Sequence, residues 1–303
     1  MATLQYTSFQ SFIKRHSVLV YYVLTFAISW GVILIVIGGS GGIPGSSPQS
    51  ARLLAFQVAA LYAGPAVACL LLTGLVSGRA GFRELLSRLL KWRVGARWYA
   101  VALLTAPLAW TAVLLVLSLL SPIFLPSIVT TSNKTSLLLF GIVGGLIVGF
   151  FEELGWTGFA TPRLRLRHGI LTTGLIVGVL WGVFYIPTYD LWGSTPSFGT
   201  LPVPLFLTVY GIGFLVGQMP AFRVLMVWVY DRTGSLLVAI LMHASLLACI
   251  IICAPAVTGV AFLVYSFAVA AALWVVVAAV AVANGGKLSR GENSSAISVT
   301  HAL

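Results

Sequence analysis

Long uninterrupted apolar runs constrain the fold of this chain more than any other feature. The first, residues 18–38, carries no charge and is long enough to cross a bilayer as a helix. Comparable runs recur at 53–76, 98–120, 137–160, 169–190, 203–222, 235–253 and 256–283. None alternates apolar with polar residues as a barrel strand would, so helices are expected. Charged residues make up 8% of the chain and hydrophobic ones 59%. That is too few ions to cover a water-soluble surface. In lipid, backbone groups must be paired internally, which helices achieve alone. The expected fold is an all-α, polytopic transmembrane bundle of about eight spans. It forms one domain over 1–284, followed by a small polar tail, 285–303, that reads as disordered. No signal-peptide cleavage pattern follows the first run.

Charge placement supports an even number of spans. With alternate loops taken as one side, almost every lysine and arginine falls together. Lys14, Arg15, Arg79, Arg83, Arg88, Lys91, Arg93, Arg97, Arg163, Arg165, Arg167, Arg223, Arg232, Lys287 and Arg290 share a side, against Arg52 and Lys134. The positive-inside rule makes that side cytoplasmic and places both termini there, in a bacterial plasma membrane. The net charge of +11 then serves topology and anionic lipid headgroups, and nucleic acid is not an expected partner. Residues 78–97 read as an amphipathic helix on the cytoplasmic surface. Phe82, Leu85, Leu86, Leu89 and Leu90 fall at helical spacing among basic residues.

Chemistry-bearing residues are scarce. Of six acidic residues, Glu84, Asp231 and Glu292 fall in loops or the tail and Asp190 at a span end. Glu152 and Glu153 follow fifteen apolar or small residues without a break (137–151), so they sit deep in a span. Buried carboxylates cost several kcal/mol unless paired, hydrated or neutralised, which makes them a functional-site hypothesis by default. On a helix the two point about 100° apart, so both cannot face one partner equally. The alternative is that they only bridge helices through hydrogen bonds to Trp and Ser groups. Of four histidines, only His243 lies inside a span. Glutamate with histidine is a plausible start for a site where a metal lowers the pKa of bound water and a carboxylate takes its proton. Two ligands are too few for catalytic zinc, which generally has three from the protein. Cys69, Cys249 and Cys253 lie in apolar runs and form no metal motif.

Three ordered segments resemble the CPBP intramembrane metalloproteases, a family that includes CAAX prenyl endopeptidases and bacteriocin-processing or immunity (Abi) proteins. GFFEELGWTGFATPRL (149–164) is similar to the first motif, EExxxR followed by Gly, an aromatic and Pro-Arg-Leu. GVLWGVFYIP (178–187) is similar to the second, an aromatic followed four residues later by His. RTGSLLVAILMHASLLA (232–248) is similar to the last, HxxxN. The likeness extends over roughly residues 60–250 and includes YAGPAVACLLLTGLVSG and LLKWRVGARWY.

The resemblance implies that Glu152 and Glu153 supply the base that activates water. It also implies that His243 belongs to a set of metal ligands for zinc or a similar divalent ion, and that Trp181 marks the second motif. Trp156 lies within the first. Three positions depart from the pattern. Thr157 stands at the motif arginine, Tyr185 at the second-motif histidine and Leu247 at the final asparagine. Leucine cannot ligate, and tyrosine could do so only as a phenolate. No asparagine lies in any expected span to replace it. Thr157 removes a natural cation, so at least one glutamate is expected to be protonated. The resemblance implies a membrane-embedded endopeptidase acting on a peptide or membrane-anchored protein. The substitutions favour a degenerate member that needs no metal and binds a peptide, lipid or protein without cutting it. A proton-linked carrier is disfavoured, because no inverted repeat with broken paired helices is evident.

Overall fold

The computed structural model describes residues 8–36, 48–186, 197–285 and 288. It is helical throughout, with no strand among the described residues. In chain order the helices are α1 Ser8–Arg15, α2 Ser17–Val36, α3 Pro48–Leu89, α4 Ala96–Leu120, α5 Ser127–Thr130, α6 Lys134–Gly155, α7 Thr161–Arg165, α8 Ile170–Phe184, α9 Val203–Ile212, α10 Met219–Thr233, α11 Leu236–Cys253 and α12 Gly259–Ala283. Single π-helical turns join α6 to α7 (Trp156–Ala160) and α9 to α10 (Gly213–Gln218).

Among the described residues, six helical stretches are long and apolar enough to cross a membrane, and two shorter apolar helices, Ser17–Val32 and Ile170–Phe184, accompany them. These correspond to the expected apolar runs, and the protein is an integral membrane protein. The sixth run does not stop at residue 222. Its helix continues from Val203 to Thr233, which carries Arg223 into the protein. Arg223 is therefore not one of the surface cations that mark a membrane side. Helix α8, which forms the fifth apolar run, ends at Phe184, and the run's predicted continuation over 187–190 lies outside the described residues, as does nearly all of the C-terminal tail.

The amphipathic segment is shorter than expected. The span in α3 breaks at Gly78, whose φ of 56° and ψ of −145° suit glycine alone, and helix resumes only as far as Leu89. The chain then leaves helical geometry until Ala96, so Arg97 begins the next span instead of ending this one. Leu85 turns into the core, whereas Phe82, Leu86, Leu90 and Trp92 stay exposed. Arg88 donates to the Tyr230 hydroxyl at 2.9 Å, and the Ser235 hydroxyl donates to the Lys91 carbonyl at 2.6 Å. Those bonds fasten the segment to the tight α10–α11 connection, Gly234 and Ser235. Gly234 ends α10 in the left-handed conformation, and Ser235 caps α11 by accepting from the Val238 amide.

Two glycine-lined contacts set the site's frame. In lipid, helices associate through close packing more than through any hydrophobic drive, so small residues mark the tightest contacts. Gly141, Gly145 and Gly149 of α6 face α11. A Cβ on Gly141 would lie 2.7 Å from the Ile252 side chain, one on Gly145 would run into the Ala244 carbonyl, and one on Gly149 would lie 2.9 Å from the Ile240 carbonyl. Gly174 and Gly178 of α8 press in the same way on the backbones of Val224 and Pro220 in α10. The first contact presents His243 to the glutamates. The second brings Arg223 against Trp181. Helix α2 closes the bundle: Ser29 donates to the Leu61 carbonyl at 2.7 Å, and the Trp30 indole to the Phe184 carbonyl at 3.0 Å.

Candidate active site

Glu152 and Glu153 occupy the last turn of α6 with no solvent exposure. Their different directions on the helix give them separate partners. Trp156 and Thr157 follow one turn later, so each glutamate first meets its own i+4 neighbour. The Trp156 indole donates to Glu152 Oε2 at 3.1 Å, and the Thr157 hydroxyl donates to Glu153 Oε2. The π-turn is pinned by the Thr161 hydroxyl, which donates to the Trp156 carbonyl at 2.7 Å. Such turns are frequent at functional sites because they re-aim side chains within a continuous helix.

Glu152 looks toward α8. The Trp181 indole donates to its Oε2 at 2.7 Å, and the Tyr185 hydroxyl donates to its Oε1. Trp181 and Tyr185, one turn apart, thus face one way as their spacing requires. With Trp156, three neutral donors hold this carboxylate.

Glu153 looks toward α10 and α11. Arg223 Nη1 lies 2.9 Å from its Oε1 and 2.8 Å from its Oε2, so one nitrogen bridges both oxygens. Arg223 has no solvent exposure and lies over the Trp181 ring, 4.2 Å from the centroid. Its Nε and Nη2 have no hydrogen-bond partner among the described residues. His243 Nδ1 lies 2.7 Å from Glu153 Oε1, and its Nε2 lies 3.9 Å from Glu152 Oε2. With Nδ1 on Glu153, Nε2 is left facing Glu152 beyond hydrogen-bond distance.

The structure thus brings together Glu152, Glu153, Trp156, Thr157, Trp181, Tyr185 and His243. Leu247 lies one turn beyond His243 and packs against the apolar core. Arg223 is the residue that sequence reasoning missed. It overturns the premise that the glutamates lack a cation, because the charge missing at position 157 arrives from another helix. A signal existed in the sequence: the apolar run resumes after Arg223 as VLMVWVY, which marks an arginine inside a span. Of the two tryptophans that bind Glu152, Trp156 belongs to the turn that follows it and Trp181 to another helix.

The donor set does not fit a resident catalytic zinc. Such a site needs three protein ligands. Among the described residues, no three His, Cys, Asp or Glu side chains are grouped to hold a metal ion. His243 Nε2 and Glu152 are the nearest donors, Tyr185 is engaged with Glu152, and Leu247 offers nothing.

Comparison with known proteins is consistent with the motifs. Residues 134–249, which include every site residue named above, match the family model described as Rce1-like, type II CAAX prenyl endopeptidase. A CAAX prenyl protease 2 from Methanococcus maripaludis is 24% identical over 82 residues, amounting to 24% of this chain and 29% of that protein. The chain therefore spans less than a third of the length of that curated relative.

Proposed function

We propose, for a chain that belongs to the CPBP/CAAX protease family through residues 134–249, that the site binds a membrane-embedded peptide or lipid-anchored partner without metal-dependent cleavage. The observation that carries this reading is the Tyr185 hydroxyl on Glu152. The resembling motif has a metal-binding histidine there. In this chain the side chain at that position is instead a hydrogen-bond donor to the carboxylate that would activate water. With the Trp156 and Trp181 indoles it occupies three of the carboxylate's acceptor positions. A general base must reach the water whose proton it takes, and this one is already engaged by its own protein.

A second reading is an active endopeptidase, and His243 favours it. An imidazole whose Nδ1 is backed by a carboxylate and whose Nε2 is turned away from it has the orientation of a metal-ligating histidine. Zinc analysis and a prenylated CAAX peptide separate the two readings. The measurements are zinc in the purified protein before and after chelation, peptide cleavage by mass spectrometry, and binding by fluorescence anisotropy. Glu152→Ala and His243→Ala variants run alongside. The binding reading expects far less than equimolar zinc, an intact peptide and saturable binding. Equimolar zinc lost in both variants, with a cleaved peptide, would overturn it in favour of the endopeptidase. A peptide neither bound nor cut would remove both.

A further inference from the structure

Besides His243, two side chains from different parts of the fold, Thr157 and Arg223, meet Glu153, and of these two only Arg223 carries charge. Thr157 is 2% exposed and its hydroxyl touches Glu153 Oε2, so any side chain at position 157 starts beside that carboxylate. Arg223 reaches the same oxygens from α10, across the contact where Gly174 and Gly178 admit Val224 and Pro220 to backbone distance. That contact, together with the Trp181 ring under the guanidinium, fixes where Arg223 can point.

We propose that Arg223 is the positioning residue of this site, and that positions 157 and 223 are interchangeable mounts for one required cation. A single positive charge, delivered from either mount, holds Glu153 in place and keeps its Oε1 on His243 Nδ1. With no cation, the carboxylate is buried uncompensated. With two, an uncompensated arginine is buried instead, and both states are costly in a low-dielectric site. Threonine at 157 is thus the counterpart of arginine at 223: it leaves room for the guanidinium and contributes one hydrogen bond. The proposal concerns how the site is assembled and holds whether or not the site cuts peptides.

The test is a charge-transfer cycle on the full chain in detergent or nanodiscs, read by thermal unfolding. Arg223→Met is expected to lower the midpoint by about 10 °C, the scale of breaking a buried ion pair. Thr157→Arg alone is expected to lower it as well, because two cations then share one carboxylate. The double variant Thr157→Arg/Arg223→Met should recover at least half of the loss seen in Arg223→Met. Recovery would be unexplained if Arg223 merely filled space. Because arginine at 157 has to repack in a buried site, Glu153→Gln/Arg223→Met gives an independent arm. Neutralising the orphaned carboxylate with an isosteric amide should also recover stability relative to Arg223→Met. The proposal is overturned if Glu153→Gln fails to relieve Arg223→Met, for the charge of Glu153 would then not be what Arg223 answers. It is also overturned if the folded double variant is no more stable than the sum of its single changes predicts.

Discussion

Glu152 and Glu153 are neighbours in the chain and equally buried, yet Glu152 is held by neutral donors and Glu153 by a guanidinium and an imidazole. The two halves answer the same problem, a carboxylate inside a membrane protein, by different physics. Hydrogen bonds from Trp156, Trp181 and Tyr185 share the load on Glu152, so no single one is indispensable. On the Glu153 side one cation, Arg223, matches one anion. The loss of either leaves the other buried and unmatched. The Glu152 side should therefore degrade gradually under substitution, and the Glu153 side abruptly.

The largest effect should come from the charged half. Glu153→Ala strands the Arg223 guanidinium and is expected to cost about 3–5 kcal/mol, measured by thermal unfolding in detergent. A cost no greater than that of a single neutral hydrogen bond would erase the contrast between the halves. Next comes the frame of that half. Gly145→Ala pushes a methyl into the Ala244 carbonyl next to His243, with an expected loss of about 1–3 kcal/mol. The neutral half should respond less. Tyr185→Phe removes one of three donors to Glu152 and is expected to cost about 1.5 kcal/mol in the same assay. An equal cost for Tyr185→Phe and Glu153→Ala would show that the load on Glu152 is not shared. The last variant, Tyr185→His with Leu247→Asn, is read by its metal content and not by stability, because it too removes the Tyr185 hydroxyl and places an amide against the apolar core. That pair should raise zinc bound per chain after dialysis, since it supplies an imidazole and an amide at the two positions where the resembling motifs carry metal ligands. Unchanged zinc content would show that more than ligand identity separates this site from a metal centre.

Much of this organisation was legible in the chain. Hydropathy located the apolar helices, and the unbroken run before Glu152 marked the pair as buried. The 100° offset between adjacent helical residues foretold that the glutamates would divide their partners. Arg223 is misplaced when the sixth apolar run is ended at residue 222, which makes it a span-end cation. Loop counting rewards cations at span ends, and it absorbed a cation that belongs inside. The π-turns were illegible for a different reason. WTGFA and GFLVGQ carry no pattern that separates one extra residue per turn from ordinary helix, and tertiary contacts decide it. The length of the amphipathic helix failed similarly: regular spacing of Leu85, Leu86, Leu89 and Leu90 does not show where backbone hydrogen bonding stops.

The glycine contacts of α6 with α11 and of α8 with α10 have one more consequence. Main chain rests on main chain there, so the bundle's alignment is not entrusted to the residues that would do chemistry. Tyrosine at 185 and leucine at 247 sit on turns whose position is already guaranteed by glycines elsewhere on the same helix pairs. Architecture and reactivity are thus separately adjustable, and a chain of this kind can change its occupation while keeping its address.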